Sequence, residues 1–381
     1  MRSVRAISTL ENIPVLVRGA LNVPIEKGTV TNEYRLRRAL ATLRHLTERH
    51  ARVILVGHFD NPNTGTLAPV AAALARLLPH VSFCPESIGP RARDAVRGLA
   101  PGHILVLENL RRHEGEMANS PAFARDLAEL GDLFVQDSFD TCHRFHASIV
   151  CVPKLLPSYA GILLEEEVRE LSRARKPKSP SLAIIGGAKF ATKEPVLKAL
   201  LAAYDRLFIG GALANDALKA RGYAVGTSRV SEGDLSHVKE LVADKRIWLP
   251  RDAIVIKANA PELTPNNART TPVEAVRENE IILDVGPETI AQLVSHTSSA
   301  KTIVWNGPLG NYENGFSAAT DALAEAIATS SAHSVLGGGD TIAAIDKLCL
   351  FSKFSFVSTG GGAMLDFLAH GTLPGIDALP S

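Results

Sequence analysis

Short, unbroken apolar runs, each followed by a stretch long enough for a helix, recur along the chain and restrict its fold more than any other feature. They fall at residues 15–17, 53–56, 104–107 and 133–135, and resume at 182–185, 207–209, 281–283, 302–305, 335–336 and 356–357. A run that is apolar at every position, rather than at alternate ones, fits a strand covered on both faces, and alternation of such strands with helices builds parallel α/β sheets. Residues 32–50 read as one covering helix, because Leu36, Leu40, Leu43 and Leu46 share a face behind a Thr31/Asn32 cap. Rhythm alone admits a closed barrel as well as open sheets. The series breaks, however, between Cys151 and Ser181. There Pro153 and Pro157 precede an acidic-to-basic helical stretch, 163–175, that Pro177 and Pro180 close. Glu165, Glu166 and Glu167 near its start and Arg169, Arg173 and Arg175 near its end complement the helix dipole, so it could stand partly alone as an inter-domain helix. A length of 381 residues exceeds what one core usually fills, and two domains are expected.

The stretch S-V-L-G-G-G-D-T-I-A-A at 334–344 ends an apolar run in Gly337, Gly338 and Gly339 and then opens a helix with Asp340 and Thr341. Backbone amides and a helix N-terminus attract phosphate there, glycines let an anion approach, and Asp340 suits a divalent cation beside it. A plain strand-to-helix turn accounts equally well for one such run. Residues 357–365 (V-S-T-G-G-G-A-M-L, with Gly361 and Gly362) and 184–193 (I-I-G-G-A-K-F-A-T-K, with Lys189 and Lys193) repeat the form, and repetition favours Mg-nucleotide. Lys189 and Lys193, four apart, are expected on one face of the first helical turns. Residues 302–313 end a strand in a Gly/Pro turn with an acid nearby, which fits a base-and-ribose pocket, although read alone such a stretch is more often a plain loop. Neither G-x-x-x-x-G-K-[ST] nor G-x-G-x-x-G occurs, which disfavours a nicotinamide oxidoreductase.

In the first half, cations sit at or just beyond the ends of the apolar runs: Arg18, His58, Arg111, Arg112 and His113, then His143, Arg144 and His146. Ligands of parallel α/β sheets bind beyond the carboxyl ends of the strands, so these side chains, with Arg35, could form one basic cleft for an anionic, phosphate-bearing molecule. The basicity must be local, because 41 Lys and Arg against 40 Asp and Glu give a net charge of +1 and no general attraction to nucleic acid or membrane. Four cysteines without C-x-x-C spacing, no apolar segment near the N-terminus and no long apolar run lead us to expect a cytoplasmic protein without membrane or nucleic-acid partners.

These segments, in order, resemble the phosphoglycerate kinase family: V-R-G-A-L-N-V-P (17–24), Y-R-L-R-R-A-L (34–40), L-A-P-V (67–70), L-E-N-L-R-R-H (107–113), T-C-H-R-F-H-A-S (141–148), A-G-I-L-L-E-E-E (160–167), I-I-G-G-A-K (184–189), W-N-G-P-L-G (305–310), L-G-G-G-D-T (336–341) and V-S-T-G-G-G-A (357–363). The resemblance implies two Rossmann-like three-layer domains with parallel sheets. They would be an acceptor domain at 1–160 completed by 363–381, a helix and hinge at 161–176, and a nucleotide-binding domain at 177–362. It implies reversible phosphoryl transfer between 1,3-bisphosphoglycerate and ADP, with Mg2+, by a monomer. Matched residue by residue, Lys189 and Lys193 resemble phosphate-binding lysines, Asp340 and Thr341 metal and phosphate contacts, and Gly361 and Gly362 the glycines that position the phosphates. Gly211, Asn306, Pro308 and Glu313 match the nucleotide pocket, Glu313 as the ribose acid. Gly337, Gly338 and Gly339 belong with them. Arg35 matches the arginine that neutralises the transferring group, and Asn22, His58, Arg111 and Arg144 match acceptor ligands. Arg35, Lys189, Gly338 and Gly361 are thus the expected catalytic set.

The departures concentrate in the acceptor half. Ala20 replaces the Asp of R-x-D-x-N, Asp60 and Asn61 replace the Gly and Arg of H-x-G-R-P, and Asp140 replaces the Gly of F-G-T, while Arg112 is an extra cation. Ala212 and Asn215 replace a glycine and an aromatic in the nucleotide half. These changes are expected to weaken the acceptor site, with Arg112 as a compensating cation, unless both acids lie on the loop surface and the remaining arginines suffice. A kinase of this fold with another acceptor, or a non-catalytic nucleotide-binding protein, remains open on these residues.

Overall fold

The computed structural model describes residues 1–60, 65–187, 190 and 192–380. In chain order its strands are β1 (Pro14–Gly19), β2 (Ile25–Glu26), β3 (Thr29–Val30), β4 (Arg52–Val56), β5 (Val81–Cys84), β6 (Ile104–Leu107), β7 (Leu133–Asp137), β8 (Ser158–Ala160), β9 (Ser181–Ile185), β10 (Arg206–Ile209), β11 (Ile247–Trp248), β12 (Asp252–Lys257), β13 (Arg269–Pro272), β14 (Glu280–Val285), β15 (Thr302–Asn306), β16 (His333–Gly337) and β17 (Phe356–Val357). The chain divides into two compact units, 1–169 with 372–381, and 170–371. Among the described residues no helix is long and apolar enough to cross a membrane.

The first unit holds a parallel sheet in the order β5-β6-β4-β1-β7-β8. Its strands are buried at successive positions because each feeds two cores. Val15, Val17, Val53, Leu55, Ile104 and Val106 join one core, while Leu16, Ile54, Val56, Leu105 and Leu107 join the other. Each such side chain contributes roughly 1.5–3 kcal/mol when fully buried. The covering helix runs Tyr34–Thr47 and delivers Leu36, Leu40, Leu43 and Leu46 to the first core. Its start differs from the expected Thr31/Asn32 cap. Glu33 holds the cap position without a side-chain bond, and Asn32 Oδ1 accepts from the Tyr34 amide at 2.9 Å in a local turn.

The second unit holds a parallel sheet in the order β11-β10-β9-β15-β16-β17 and a separate antiparallel sheet, β13-β12-β14. The run 281–283, expected in the parallel series, therefore belongs to the antiparallel sheet. Ile281 and Ile282 are only partly buried there, as on a strand covered unevenly. Helix Gly361–His370 lies in the second unit, whereas 363 was the expected point of return to the first. Met364, Leu365, Phe367 and Leu368 bury its apolar face, and it packs against helix Glu194–Ala203. The chain rejoins the first unit at Thr372.

Helix Ile162–Ala174 carries the chain from one unit to the next. It does not stand apart: Leu163, Leu164, Glu167, Leu171 and Ala174 are buried. Its first turn is closed by the first unit. Asp137 Oδ1 accepts from the Leu163 and Leu164 amides at 3.1 and 3.4 Å, and Thr42 Oγ1 accepts from the Ile162 amide at 2.9 Å. Burial pushes the Asp137 carboxyl up to about 8 against those hydrogen bonds.

Candidate active site

Strand register gathers the glycine segments of the second unit. Asn306 of β15 aligns with Ile185 of β9 on one side and Gly337 of β16 on the other, so the turns after the three strands start level. The Gly186 amide donates to the Asn306 carbonyl at 2.8 Å, and the Gly307 amide donates to Thr341 Oγ1 at 3.0 Å. Gly338 takes φ +108°, which an L side chain rarely adopts, just before helix Gly339–Lys347. Gly361, at the start of helix Gly361–His370, approaches so closely that a Cβ there would lie 3.1 Å from the Gly338 Cα. Asn306 Nδ2 donates to the Gly361 carbonyl at 3.4 Å. Two helix N-termini rich in glycine amides thus meet at one place, an arrangement suited to oxyanions. Gly339 and Asp340 are exposed there, and Gly362 lies in the same first turn as Gly361.

Lys193 belongs to this cradle, but not as one of a pair on a helical face. Helix Glu194–Ala203 starts one residue later, with Pro195 in its first turn, and Lys193 is its cap. Lys189 lies outside the described residues. The Lys193 ammonium donates to the Gly186 carbonyl, and a Cβ on Gly187 would collide with it. Burial lowers its pKa to about 8, partly opposed by Asp340.

A cavity of about 680 Å³ opens beside the cradle. Gly211, Pro308, Glu313 and Asp340 of the expected set line it, with apolar walls from Leu218, Ile282, Leu309 and Tyr312 among others. Asn306 and Thr341 stand behind it: both are buried, and their side chains brace Gly361 and Gly307. Ala212 and Asn215, the substituted positions, also line it. Sequence reading missed Asp284 in its wall. This acid accepts from the Val285 and Ala319 amides at 2.9 and 3.3 Å, and burial, with Asp321 nearby, pushes it up to about 7. Its signal was an acid directly ending the apolar run 281–283.

The first unit gathers most of the expected acceptor residues at the carboxyl ends of β1, β4 and β6. Arg18 is not a surface cation; it is fully buried. Its Nε donates to Ser148 Oγ at 3.0 Å, one terminal nitrogen donates to the Gly19 carbonyl at 2.6 Å, and the other lies 3.0 Å from His58 Nδ1. Buried Glu116 holds Ser148 in turn, accepting from its hydroxyl at 2.6 Å and its amide at 2.9 Å. Arg18 can only donate, so His58 Nδ1 accepts and the ring proton is on Nε2. Burial, then Arg18, Arg111 and Arg35, hold the His58 pKa well below the usual histidine value, and His58 acts as a neutral donor.

Around it, Arg35 donates to the Asn22 carbonyl, and Arg111 pairs with Asp60. Arg144 is exposed and contributes, after burial and the charges of Arg111 and Arg18, to lowering His146 to about 4. Arg112 turns away from the expected compensating role: it pairs with buried Glu108 at 3.0 Å, which also accepts from Thr66 Oγ1 and the Leu67 amide. Asp60 stands inside the basic cluster rather than on a loop surface apart from it. Asn61 lies outside the described residues.

The phosphoglycerate kinase family model matches residues 5–371. A phosphoglycerate kinase of Moorella thermoacetica is 42% identical over 97% of each sequence, and one of Rubrobacter xylanophilus is 42% identical over 100% of this chain and 98% of that one. The structure of phosphoglycerate kinase from Coxiella burnetii has a TM-score of 0.82 at 40% identity, covering 99% of this chain and 98% of its own. The Pyrococcus horikoshii enzyme has a TM-score of 0.88 at 29% identity, covering 100% and 98%. With that span and a site of this make-up, the chain belongs to the phosphoglycerate kinase family.

Proposed function

We propose that the chain transfers a phosphoryl group reversibly between 1,3-bisphosphoglycerate and ADP, giving 3-phosphoglycerate and ATP, as a glycolytic kinase working as a cytoplasmic monomer. The nucleotide binds the second unit. Its base and ribose enter the cavity between Gly211, Pro308 and Glu313, and its phosphates lie against Lys193, Lys189, the amides of Gly337–Gly339 and those of Gly361 and Gly362. Asn306 and Thr341 keep the cradle's segments together. Asp340 would hold Mg2+, an exposed carboxylate at the cradle's rim. Among the described residues no group of three or more His, Cys, Asp or Glu could hold a metal, so phosphate oxygens would complete its coordination. Bound there, Mg2+ supplies charge neutralisation to the phosphates.

In the first unit Asn22, Arg35, His58, Arg111 and Arg144 hold the acceptor. Towards ATP, a carboxylate oxygen of 3-phosphoglycerate forms the bond to the γ-phosphorus. The bond to the β,γ-bridging oxygen breaks, and ADP leaves with the electron pair. The nucleophile is already ionised, so no base is needed, and the work is positioning and neutralising charge. Arg35 and the Gly338/Gly361 amides face that charge. Since Arg35 and Lys193 belong to different units, the units close about helix Ile162–Ala174 during turnover, excluding water.

The observation that carries this reading is the approach of Gly338 to Gly361, which puts two helix N-termini and Lys193 at one place beside a nucleotide-sized cavity. The test is a coupled assay with Mg-ATP and 3-phosphoglycerate on the wild type and Arg35→Ala. Turnover that falls about a hundredfold or more in Arg35→Ala supports the reading. Wild-type protein that binds nucleotide and turns over nothing refutes it.

A further inference from the structure

The basic cluster of the first unit contains an acid where the family pattern has glycine. One oxygen of Asp60 pairs with Arg111 and lies 3.8 Å from His58 Nε2, and the other accepts from Asn22 Nδ2 at 2.5 Å. Three of the groups assigned to the acceptor therefore converge on one carboxylate of this chain. The second added acid behaves differently. Asp140 accepts from Ser138 Oγ at 2.6 Å and sets its charge towards Arg18, with no pairing to Arg111 among the described residues. Within the Asp60 pair, the acid is the freer partner: its side chain is 63% exposed and that of Arg111 15%. The Arg111 Nε is buried without a partner among the described residues, so this guanidinium has donors left over. Asn61 removes a further cation from the adjoining position of the pattern.

We propose that Asp60 sets the acceptor preference of the site, as an internal carboxylate that the far-end anion of an acceptor must displace from Arg111 and Asn22. The proposal rests on the acceptor reading of the first unit given above. A phosphate dianion meets two obstacles here, competition for the same donors and repulsion by the displaced carboxylate. A three-carbon hydroxy acid ending in a neutral hydroxyl meets neither. The site therefore discriminates less in favour of a phosphorylated tail than one with glycine at this position. Its acceptors are short hydroxy carboxylic acids whose far end carries less charge than a phosphate dianion, alongside 3-phosphoglycerate.

The experiment compares wild type, Asp60→Asn, Asp60→Gly and Arg111→Ala. It reads KM for 3-phosphoglycerate and, from ATP consumption, KM for glycerate as acceptor, which keeps the carboxylate and hydroxyl but lacks the phosphate. Asn is isosteric and Gly restores the pattern, and nucleotide affinity by calorimetry reports that each variant is folded. The proposal expects KM for 3-phosphoglycerate to fall at least tenfold in both Asp60 variants, the glycerate constant to move less than threefold, and Arg111→Ala to raise KM at least tenfold. If KM stays within twofold in both Asp60 variants while Arg111→Ala raises it, Asp60 does not contend for the tail and the proposal is overturned, with the acceptor reading intact. Equal shifts for both compounds overturn it as well, because Asp60 would then not distinguish tails. If Arg111→Ala leaves KM unchanged, the acceptor reading falls and takes the proposal with it.

Discussion

Nucleotide affinity should weaken as pH rises through about 8, because Lys193 loses its charge there. Burial holds its pKa at about 8, well below that of an ordinary lysine, with Asp340 partly opposing the shift. A polyphosphate on the cradle favours the ammonium form, so nucleotide binding draws a proton onto Lys193 near that pH. If only the ammonium form binds, the ammonium fraction falls from roughly nine-tenths at pH 7 to one-tenth at pH 9, and Kd rises about tenfold, or about 1.4 kcal/mol. Calorimetric titration of Mg-ADP at pH 7, 8 and 9, in two buffers of different ionisation enthalpy, reads both the affinity and the proton uptake, expected near half a proton at pH 8. Asp284, pushed up to about 7 in the cavity wall, ionises over part of the same range and would add its own weakening. Lys193→Arg separates the two, since a guanidinium stays charged throughout and removes only the lysine's share. A Kd that is flat from pH 7 to 9, with no proton taken up, would show that the Lys193 ammonium does not meet the phosphates.

Other consequences follow from the same geometry. Gly338→Ala forces a side chain into φ +108° and should cost about 1–2 kcal/mol of stability, read by urea denaturation, along with nucleotide affinity; an unchanged midpoint would mean the turn relaxes freely. Arg18→Met leaves Ser148 and His58 without their shared donor, and should raise the His58 pKa towards the ordinary value by removing an adjacent positive charge; NMR titration checks it, and an unmoved pKa would exclude Arg18 as a cause and leave the depression to burial and the remaining cations. Asp340→Ala should abolish the Mg2+ dependence of ADP affinity, and calorimetry with and without the metal would expose a metal held elsewhere. Solution scattering should record compaction when both substrates are bound, and an unchanged radius of gyration would count against closure about helix Ile162–Ala174.

The parallel sheets were legible because burial on both faces writes itself as continuous apolar runs, as in residues 53–56 and 104–107, whose alternate side chains feed separate cores. Strand β5, V-S-F-C, escaped notice because an edge strand is covered less and its pattern is short and broken by Ser82. The antiparallel β12 to β14 sheet was misread for a related reason: the apolar run 281–283 resembles a parallel strand, and nothing local announces its partners. Glycine runs marked the cradle, because close backbone approach needs glycine whatever surrounds it. Lys193 was found but placed within the helix, whereas the helix opens one residue later, at Glu194, with Pro195 in its first turn. What local pattern could not carry were contacts across long separations. Arg18 depends on Ser148, 130 residues downstream, for its buried role. Asp60 was visible as a departure from the family pattern, yet its hold on Asn22 and Arg111 is a fact of tertiary structure.

The most direct measurement of the central claim is phosphorus exchange followed by NMR, with the wild-type protein, Mg-ATP and 3-phosphoglycerate. Catalysis by the two units acting together predicts saturation transfer between the γ-phosphoryl of ATP and the acyl phosphate of 1,3-bisphosphoglycerate, lost in Arg35→Ala and in Asp340→Ala. ATP that binds the second unit, with 3-phosphoglycerate present at saturating concentration, and shows no exchange into an acyl phosphate would contradict it.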